Sequence, residues 1–183
     1  MAAAPSPWVE RFIVGVRAGG CVLDVACGAG RHVALARRAG LAATGVDRDI
    51  TAARAAFAGD ARVALIEADL EAAGGAAPPL APGAFDGVIV TNYLWRPLLP
   101  LVVAAVGPAG ILIYETFRAG NERFGRPSNP AFLLEPGELL DAVAGRLTVV
   151  AYEEACLDAP TRVVARVCAV GAGHPWVALP PRL

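Results

Sequence analysis

Val22-Leu-Asp-Val-Ala-Cys-Gly-Ala-Gly-Arg-His32 is the stretch that decides the fold of this 183-residue chain. Its apolar part begins one residue earlier, at Cys21, and ends at Val25, and two glycines follow within a turn of small residues. A helical pattern of apolar residues begins directly after the turn. Strand, glycine turn and helix in this order predict the first crossover of a doubly wound α/β sheet, with the turn at the sheet edge where such folds bind ligands.

The spacing of the glycines restricts the ligand that this turn can bind. A dinucleotide-binding turn follows G-x-G-x-x-G, but a pattern that starts at Gly28 ends on Val33. The chain instead has D-x-A-x-G-x-G, in which Asp24 stands four residues before Gly28. A carboxylate repels a diphosphate and attracts a cationic ligand. The turn resembles the first motif of the class I S-adenosylmethionine-dependent methyltransferases, (D/E)-x-G-x-G-x-G, with Ala26 replacing the first glycine. An ordinary glycine turn is the alternative interpretation.

A second acidic residue indicates a nucleotide-like ligand. Asp47 stands 23 residues after Asp24 at the end of the second predicted strand, where nucleotide-binding α/β folds place the acceptor of the ribose hydroxyls. Capping of the next helix is the alternative role for Asp47, but Asp49 fits that cap better. The resemblance further implies that Asp69 and Leu70 bind the adenine, and a solvated loop carboxylate is the alternative for Asp69.

The resemblance defines a set of expected contacts to S-adenosylmethionine. It implies that the first acidic residue and the glycine turn hold the methionine part, and that the acidic residue after the second strand holds the ribose. After the fourth strand, it places a residue near the methionine part and the reacting methyl group. The expected cofactor-binding residues are Asp24, Ala26, Gly28, Gly30, Asp47, Arg48, Asp69, Leu70 and Asn92.

The apolar segments along the chain predict a Rossmann-like α/β sheet of seven strands with helices on both faces. Predicted strands lie at residues 21–25, 43–49, 62–70, 85–90, 111–114, 147–153 and 162–170. A loop is expected at 71–84 and a β-hairpin at the end. The resemblance implies the strand order 3-2-1-4-5-7-6 with strand 7 antiparallel. Residues 1–183 are expected to form one domain, with a core at about 7–170 and an irregular tail at 171–183.

Composition and charge argue against several classes of protein. The formal net charge is −1 at pH 7 and no basic stripe is visible, so nucleic acid is not expected as a partner. The four cysteines lack metal-ligand spacing, which predicts no metal site and fits a cytoplasmic compartment. No signal-peptide pattern is visible, and prolines and glycines interrupt the apolar segment 97–114, so no membrane association is expected. His32 is expected at the surface or cofactor rim, and the protein is expected to be a monomer or homodimer.

Residues 115–130 form the least scaffold-like stretch, because they are polar, aromatic and rich in glycine and proline. A long ordered loop at the ligand-binding edge is usually functional, so we expect a lid over the methyl acceptor. A loop that packs on the domain without ligand contact is the alternative. Glu115, as a general base, and Tyr93 are the candidate catalytic residues. The candidate substrate-binding residues are Tyr93, Trp95, Arg96, Phe117, Asn121, Arg123 and Phe124.

Together, these features predict an S-adenosylmethionine-dependent methyltransferase with a small-molecule acceptor. The resemblance covers about residues 7–170, and the short segment before the first strand is similar to that of small bacterial methyltransferases of the tellurite-resistance type. Methyl transfer from a sulfonium is an in-line displacement, so positioning and exclusion of water supply much of the catalysis. The alternatives are a non-catalytic cofactor-binding protein, such as a sensor or partner subunit, and a nicotinamide-dependent dehydrogenase.

Overall fold

A seven-stranded sheet forms the centre of the computed structural model, which describes residues 3–72 and 80–182. The strands are β1 (Cys21–Val25), β2 (Ala42–Asp47), β3 (Val63–Glu67), β4 (Phe85–Thr91), β5 (Val106–Phe117), β6 (Thr148–Leu157) and β7 (Arg162–Val170). Their order in the sheet is β3-β2-β1-β4-β5-β7-β6. The first five strands are parallel, whereas β7 runs antiparallel to both β5 and β6. The predicted order and the antiparallel seventh strand are confirmed.

Helices pack on both faces of this sheet. They are α1 (Pro7–Phe12), α2 (Arg31–Arg38), α3 (Thr51–Ala56), α4 (Leu99–Ala105) and α5 (Glu138–Val143). Side chains alternate along β5, so Leu112 and Tyr114 join the core cluster that includes α4 and α5. Ile111 and Ile113 join the cluster on the other face, which includes α1 and α2. Burial of the sheet on both faces explains why its strands read as continuous apolar runs.

Two strand boundaries differ from the sequence prediction for identifiable reasons. β3 ends at Glu67 because Asp69 turns the chain, accepting a hydrogen bond from the backbone N–H of Glu71 at 2.9 Å. β5 begins at Val106, five residues before the predicted start at 111, and its pairing with β4 shifts register after Phe85. The loop predicted at 71–84 lies partly outside the described residues, because 73–79 are not among them.

The segment after β7 packs back on the α1 face of the sheet. The Trp176 ring lies edge-on to Phe12, with 6.4 Å between their centroids. Nε2 of His174 lies 2.9 Å from the carbonyl oxygen of Gly15. A Cβ atom on Gly15 would lie 2.4 Å from the Trp176 ring, so the indole needs a glycine there. Within the described ranges, no helix combines the length and apolar character needed to cross a bilayer.

Candidate functional site

Three adjoining pockets follow the carboxyl ends of β1 to β5 and form one cleft. The central pocket has a volume of about 460 Å³ and is lined by Ala26, Asp47, Arg48, Ala68, Asp69, Leu70, Glu71, Asn92, Tyr93 and Phe132. The turn pocket, of about 280 Å³, is lined by Ala3, Ala26, Cys27, Gly28, Ala29, Arg31, His32, Thr91 and Asn92. The loop pocket, of about 200 Å³, is lined by Glu71, Asn92, Tyr93, Leu94, Thr116, Phe117, Pro127 and Phe132. Asn92 contributes to all three.

The glycine turn after β1 forms one wall of the turn pocket. Gly28 has φ +52° and Gly30 has φ +81°, both in the left-handed region. A Cβ atom on Gly28 would meet nothing within 4 Å, whereas a Cβ atom on Gly30 would lie 2.5 Å from the ring of Phe57. Gly28 therefore keeps the pocket open, while Gly30 allows the turn to pack on α3. Ala26 also has a left-handed φ of 56°, which explains why the family motif has glycine at that position.

The predicted ribose acceptor is fixed by the backbone at the floor of the central pocket. Oδ2 of Asp47 accepts a hydrogen bond from the N–H of Gly28 at 2.8 Å, and Oδ1 accepts one from the N–H of Asp49 at 3.1 Å. Asp49 itself accepts from the N–H of Thr51 at the start of α3. Each carboxylate oxygen of Asp47 retains a further lone pair, so the group can still accept bonds from two ligand hydroxyls.

The residues after β3 line the opposite side of the same pocket. The predicted cofactor-binding residues Asp69, Leu70 and Arg48 line this pocket together with Asp47. Glu71 reaches both the central and the loop pockets. Sequence analysis missed Glu71 because nothing in its local pattern distinguishes it from a solvated loop residue.

A buried polar cluster lies beneath the turn pocket. Asp24 is 1% exposed, and its Oδ2 has no hydrogen-bond partner among the described residues. Burial raises the pKa of Asp24 to about 7 and lowers the pKa of His32 to about 3. Nδ1 of His32 lies 3.9 Å from Asp24, but a largely neutral imidazole makes no ion pair. His32 is only 2% exposed and accepts from the N–H of Ser6 at 3.1 Å, which corrects the expectation of a surface position.

Arg31 places a positive charge at the mouth of the turn pocket. Its guanidinium donates to the carbonyl of Ala4 and to Oγ1 of Thr91, each at 3.3 Å. Arg31 stands directly after the second glycine of the motif but was not predicted as a site residue. Cys27 lines the same pocket, and burial raises the pKa of its thiol to about 12, so it stays protonated.

Asn92 and Tyr93 lie at the junction of the pockets. Asn92 adopts a left-handed φ of 55°, and its N–H donates to the carbonyl of Glu115 at 3.0 Å. The Tyr93 hydroxyl is buried and has no partner within the described part of the chain. Burial, together with the nearby carboxylates of Glu71 and Asp69, raises the pKa of Tyr93 well above its usual range. The phenol therefore keeps its proton and can donate a hydrogen bond to a ligand.

Glu115 does not line any of the three pockets. It is 2% exposed, accepts from the hydroxyl of Ser6 at 3.0 Å and pairs with Arg166 on β7 at 3.1 Å. Arg166 pairs in turn with Glu153 on β6, so the three side chains form a row across adjacent strands. The alternation of β5 turns Glu115 toward α1, so this geometry argues against a general base that faces the acceptor.

The loop at 118–137 is held by polar side chains from the loop and from the segment after β4. Arg96 donates to both carboxylate oxygens of Glu138 and to the carbonyls of Ala131 and Leu133, at 2.7–2.9 Å. Asn121 is 2% exposed; it donates to the carbonyl of Pro127 and accepts from the N–H of Val163. Arg96 and Asn121, which were expected to contact the substrate, therefore use these groups to hold the loop in place.

The remaining predicted acceptor contacts divide between the cleft and its surroundings. Phe117 and Tyr93 line the loop pocket. Trp95 packs on the core cluster beside α4 and α5, and Phe124 is 51% exposed. Arg123 lies in a short 3-10 helix (Asn121–Arg123), and neither it nor Phe124 lines one of the three pockets. The sequence analysis missed the pocket residues Leu94, Thr116, Pro127 and Phe132.

Comparisons with known proteins agree with this architecture. A family model described as a methyltransferase domain matches residues 23–96, which run from β1 to the residues after β4. No curated protein matches the chain significantly. Among solved structures, an S-adenosylmethionine-dependent methyltransferase from Mesorhizobium loti is similar, with a TM-score of 0.68 and 20% sequence identity over 88% of this chain and 95% of that one.

Two further solved structures share the fold. A TehB-like S-adenosylmethionine-dependent methyltransferase from Corynebacterium glutamicum has a TM-score of 0.64 and 18% identity over 90% of this chain and 87% of that one. The 1,6-didemethyltoxoflavin-N1-methyltransferase of Burkholderia thailandensis, solved with 1,6-didemethyltoxoflavin and S-adenosylhomocysteine, has a TM-score of 0.65 and 19% identity over 90% and 76% of the two chains. The fold is that of the class I S-adenosylmethionine-dependent methyltransferases. Within it, residues 23–96 are the part that matches the methyltransferase-domain model.

Proposed function

We propose that this protein is an S-adenosylmethionine-dependent methyltransferase that acts on a small-molecule acceptor. The observation that carries the proposal is the joined cleft, in which carboxylates at the ends of β2 and β3 line the central pocket and a glycine turn opens the neighbouring one. The two pockets meet at Ala26 and Asn92. A ligand that occupies both must pass this junction, which suits a nucleoside in one pocket and its amino-acid side arm in the other.

The charges in the cleft fit the groups of this cofactor. Arg31 lines the turn pocket and suits the methionine carboxylate. Asp24 lies beneath that pocket beside His32, and its Oδ2, which has no partner among the described residues, is the acceptor proposed for the ammonium. In the central pocket, Asp47 accepts from the ribose hydroxyls and Asp69 from the adenine amino group, with Leu70 against the ring. A diphosphate would meet these carboxylates and be repelled, which favours a ligand without phosphate.

The chemistry of the reaction requires little from the protein beyond positioning. The bound cofactor supplies a methyl group that is already activated by a positively charged sulfur. Asn92 lies where all three pockets meet, so it orients cofactor and acceptor together. The Tyr93 hydroxyl donates a hydrogen bond to the acceptor. The loop at 118–137 excludes water, which increases the time that the reactants spend in the reactive arrangement.

Two features of the structure favour this function over the alternatives. A non-catalytic binding protein has no need of an acceptor space, yet the loop pocket of about 200 Å³ stays open beside the central pocket. A dehydrogenase sheet lacks the closing antiparallel hairpin that β6 and β7 form. A small acceptor also fits the size of the loop pocket. The cytoplasmic location, the absence of a nucleic-acid partner and a monomeric or homodimeric state stay predictions.

A thermal-shift titration with S-adenosylhomocysteine tests the cofactor assignment, with NADH as the competing ligand. At about 100 times its dissociation constant, a bound ligand adds roughly 2.7 kcal/mol to stability. We expect stabilisation by S-adenosylhomocysteine alone and its loss in Asp47→Ala. Glu67→Ala is the matched control, because Glu67 is the register neighbour of Asp47, is exposed and lies outside the three pockets. Stabilisation by NADH alone, or by neither ligand, would overturn the proposal.

A further inference from the structure

The loop pocket carries information about the chemical class of the acceptor. Its lining includes three aromatic rings, those of Tyr93, Phe117 and Phe132, together with the apolar Leu94 and Pro127. Aromatic side chains bury a large area against a flat ring and add specific ring–ring contacts. The volume of about 200 Å³ is below the range of roughly 300–1,000 Å³ that drug-sized ligands occupy. The pocket therefore suits a small molecule of one or two rings.

The charge of the residues that line the loop pocket disfavours an anionic acceptor. Glu71 is the one charged side chain among the described residues that line it. Three nearby arginines are engaged elsewhere: Arg96 pairs with Glu138, Arg118 with Glu154 and Arg166 with Glu115. Arg48 lines the adjoining central pocket and Arg126 precedes Pro127, but neither lines the loop pocket. A carboxylate or phosphate on the acceptor would therefore meet the negative charge of Glu71 with no cation in the described lining of the pocket. An uncharged acceptor avoids this cost.

Two polar groups specify what an acceptor must offer in hydrogen bonding. The buried Tyr93 hydroxyl has no hydrogen-bond partner of normal geometry among the described residues, although the Glu71 carboxylate lies near it, and leaving such a donor unsatisfied is costly. Glu71 lines the same pocket and is exposed to solvent, and its carboxylate oxygens can accept hydrogen bonds. A ligand with a lone pair for Tyr93 and an N–H or O–H for Glu71 satisfies both groups. Phenols, hydroxylated heterocycles and ring N–H groups have this combination.

We propose that the acceptor is a small, uncharged, planar aromatic or heteroaromatic molecule that carries an O–H or ring N–H, and that Glu71 takes its proton. The inference rests on the proposed methyltransferase function. The acceptor oxygen or nitrogen forms a bond to the methyl carbon as the sulfur–methyl bond breaks, and the sulfonium becomes a neutral thioether. The O–H or N–H proton passes to the Glu71 carboxylate and from there to water, so charge and atoms balance.

Isothermal titration calorimetry of the protein saturated with S-adenosylhomocysteine tests this class directly. The compounds are 2-naphthol, its saturated counterpart decahydro-2-naphthol and its anionic counterpart 6-hydroxy-2-naphthoate. We expect 2-naphthol to bind at least tenfold more tightly than either counterpart. Equal or tighter binding of a counterpart, or no binding of 2-naphthol, overturns the inference. Failure of S-adenosylhomocysteine itself to bind would instead overturn the proposed function, so the two failures are distinguishable.

Variants connect the selectivity to the named residues. Phe117→Leu should weaken 2-naphthol binding severalfold without changing affinity for S-adenosylhomocysteine, because Phe117 lines the loop pocket and not the central one. Phe124→Leu is the matched control, since that ring is 51% exposed and outside the pocket. Glu71→Gln, which removes the charge and the proton acceptor, should reduce the penalty against the naphthoate and lower the rate of single-turnover methylation. Unchanged selectivity in both Phe117→Leu and Glu71→Gln contradicts the assignment.

Discussion

Two parts of the cleft are held in place by different means: the proposed cofactor side, which is the central and turn pockets, and the proposed acceptor side, which is the loop pocket. On the cofactor side, backbone N–H groups fix the carboxylates, as Gly28 does for Asp47. On the acceptor side, long side chains such as Arg96 tie the loop to the protein. The polar side chains of the loop therefore make hydrogen bonds that hold the loop, and aromatic rings line the pocket. Residue type alone therefore predicts which residues line the cleft at strand ends better than in long loops.

The largest expected effect is on the pH dependence of stability. It should come from replacing either Asp24 or His32, the buried pair beneath the turn pocket. Burial raises the pKa of Asp24 to about 7, from 3.8, and lowers the pKa of His32 to about 3, from 6.5. Between about pH 4 and 6.5 the folded pair holds one proton, on Asp24. The unfolded pair also holds one, on His32. Their contributions to the pH dependence of stability therefore cancel in this range.

Single substitutions should reveal the two opposite slopes. Asp24→Asn leaves His32, which binds fewer protons when folded, so stability relative to the wild type should rise as pH increases from about 4 to 6.5. His32→Gln leaves Asp24, which binds more protons when folded, so relative stability should fall over the same range. Each slope is at most about 1.4 kcal/mol per pH unit. Urea unfolding at three pH values measures both, and slopes of the same sign would contradict the assignment.

The next largest effect tests whether the buried carboxylate on β5 is structural. Removing one partner of a buried ion pair costs about 3–5 kcal/mol, and the remaining pair between Arg166 and Glu153 should reduce the cost of Glu115→Ala to about 2–3 kcal/mol. Glu153→Ala, which removes the more exposed partner of Arg166, should cost less than about 1 kcal/mol. Denaturant unfolding gives both values. A Glu115→Gln variant that keeps its stability but loses turnover would restore the general base that the sequence suggested.

A smaller effect should follow from releasing the loop that holds Phe132. Arg96→Ala removes a bidentate pair and two bonds to loop carbonyls, at a cost in stability of about 1–2 kcal/mol. Because Arg96 lies outside the central and turn pockets, affinity for S-adenosylhomocysteine should change less than twofold, whereas affinity for 2-naphthol should fall about tenfold. Calorimetry with the two ligands measures this difference. The matched control is Arg54→Ala, which removes an exposed pair with Glu67. Equal losses for both ligands would show that the two sides are not held independently.

The sheet and the cofactor side were predictable because their determinants are local. Asp47 and Asp69 directly follow apolar strands, and parallel strands bring such residues to one edge. The acceptor side depends on contacts between distant residues, such as Arg96 with Glu138 and Asn121 with Val163, each 42 positions apart. No local pattern shows that these partners meet. The sequence therefore predicted a loop at 115–130, of which residues 115–117 belong to β5, and could not tell residues that hold the loop from residues that could contact a ligand.

The smallest predicted effect separates two glycines that play different parts in one turn. Gly30→Ala should cost about 1–2 kcal/mol in stability, through left-handed strain and contact with the Phe57 ring. Gly28→Ala carries similar strain but no contact, and its methyl group would enter the turn pocket, so affinity for S-adenosylhomocysteine should fall more than stability. In a Phe57→Leu background, Gly30→Ala should recover the steric part of its cost, because the ring edge is removed. A cycle of these variants, measured by unfolding and by calorimetry, distinguishes packing from ligand approach. Recovery of cofactor affinity rather than stability would reverse the two assignments.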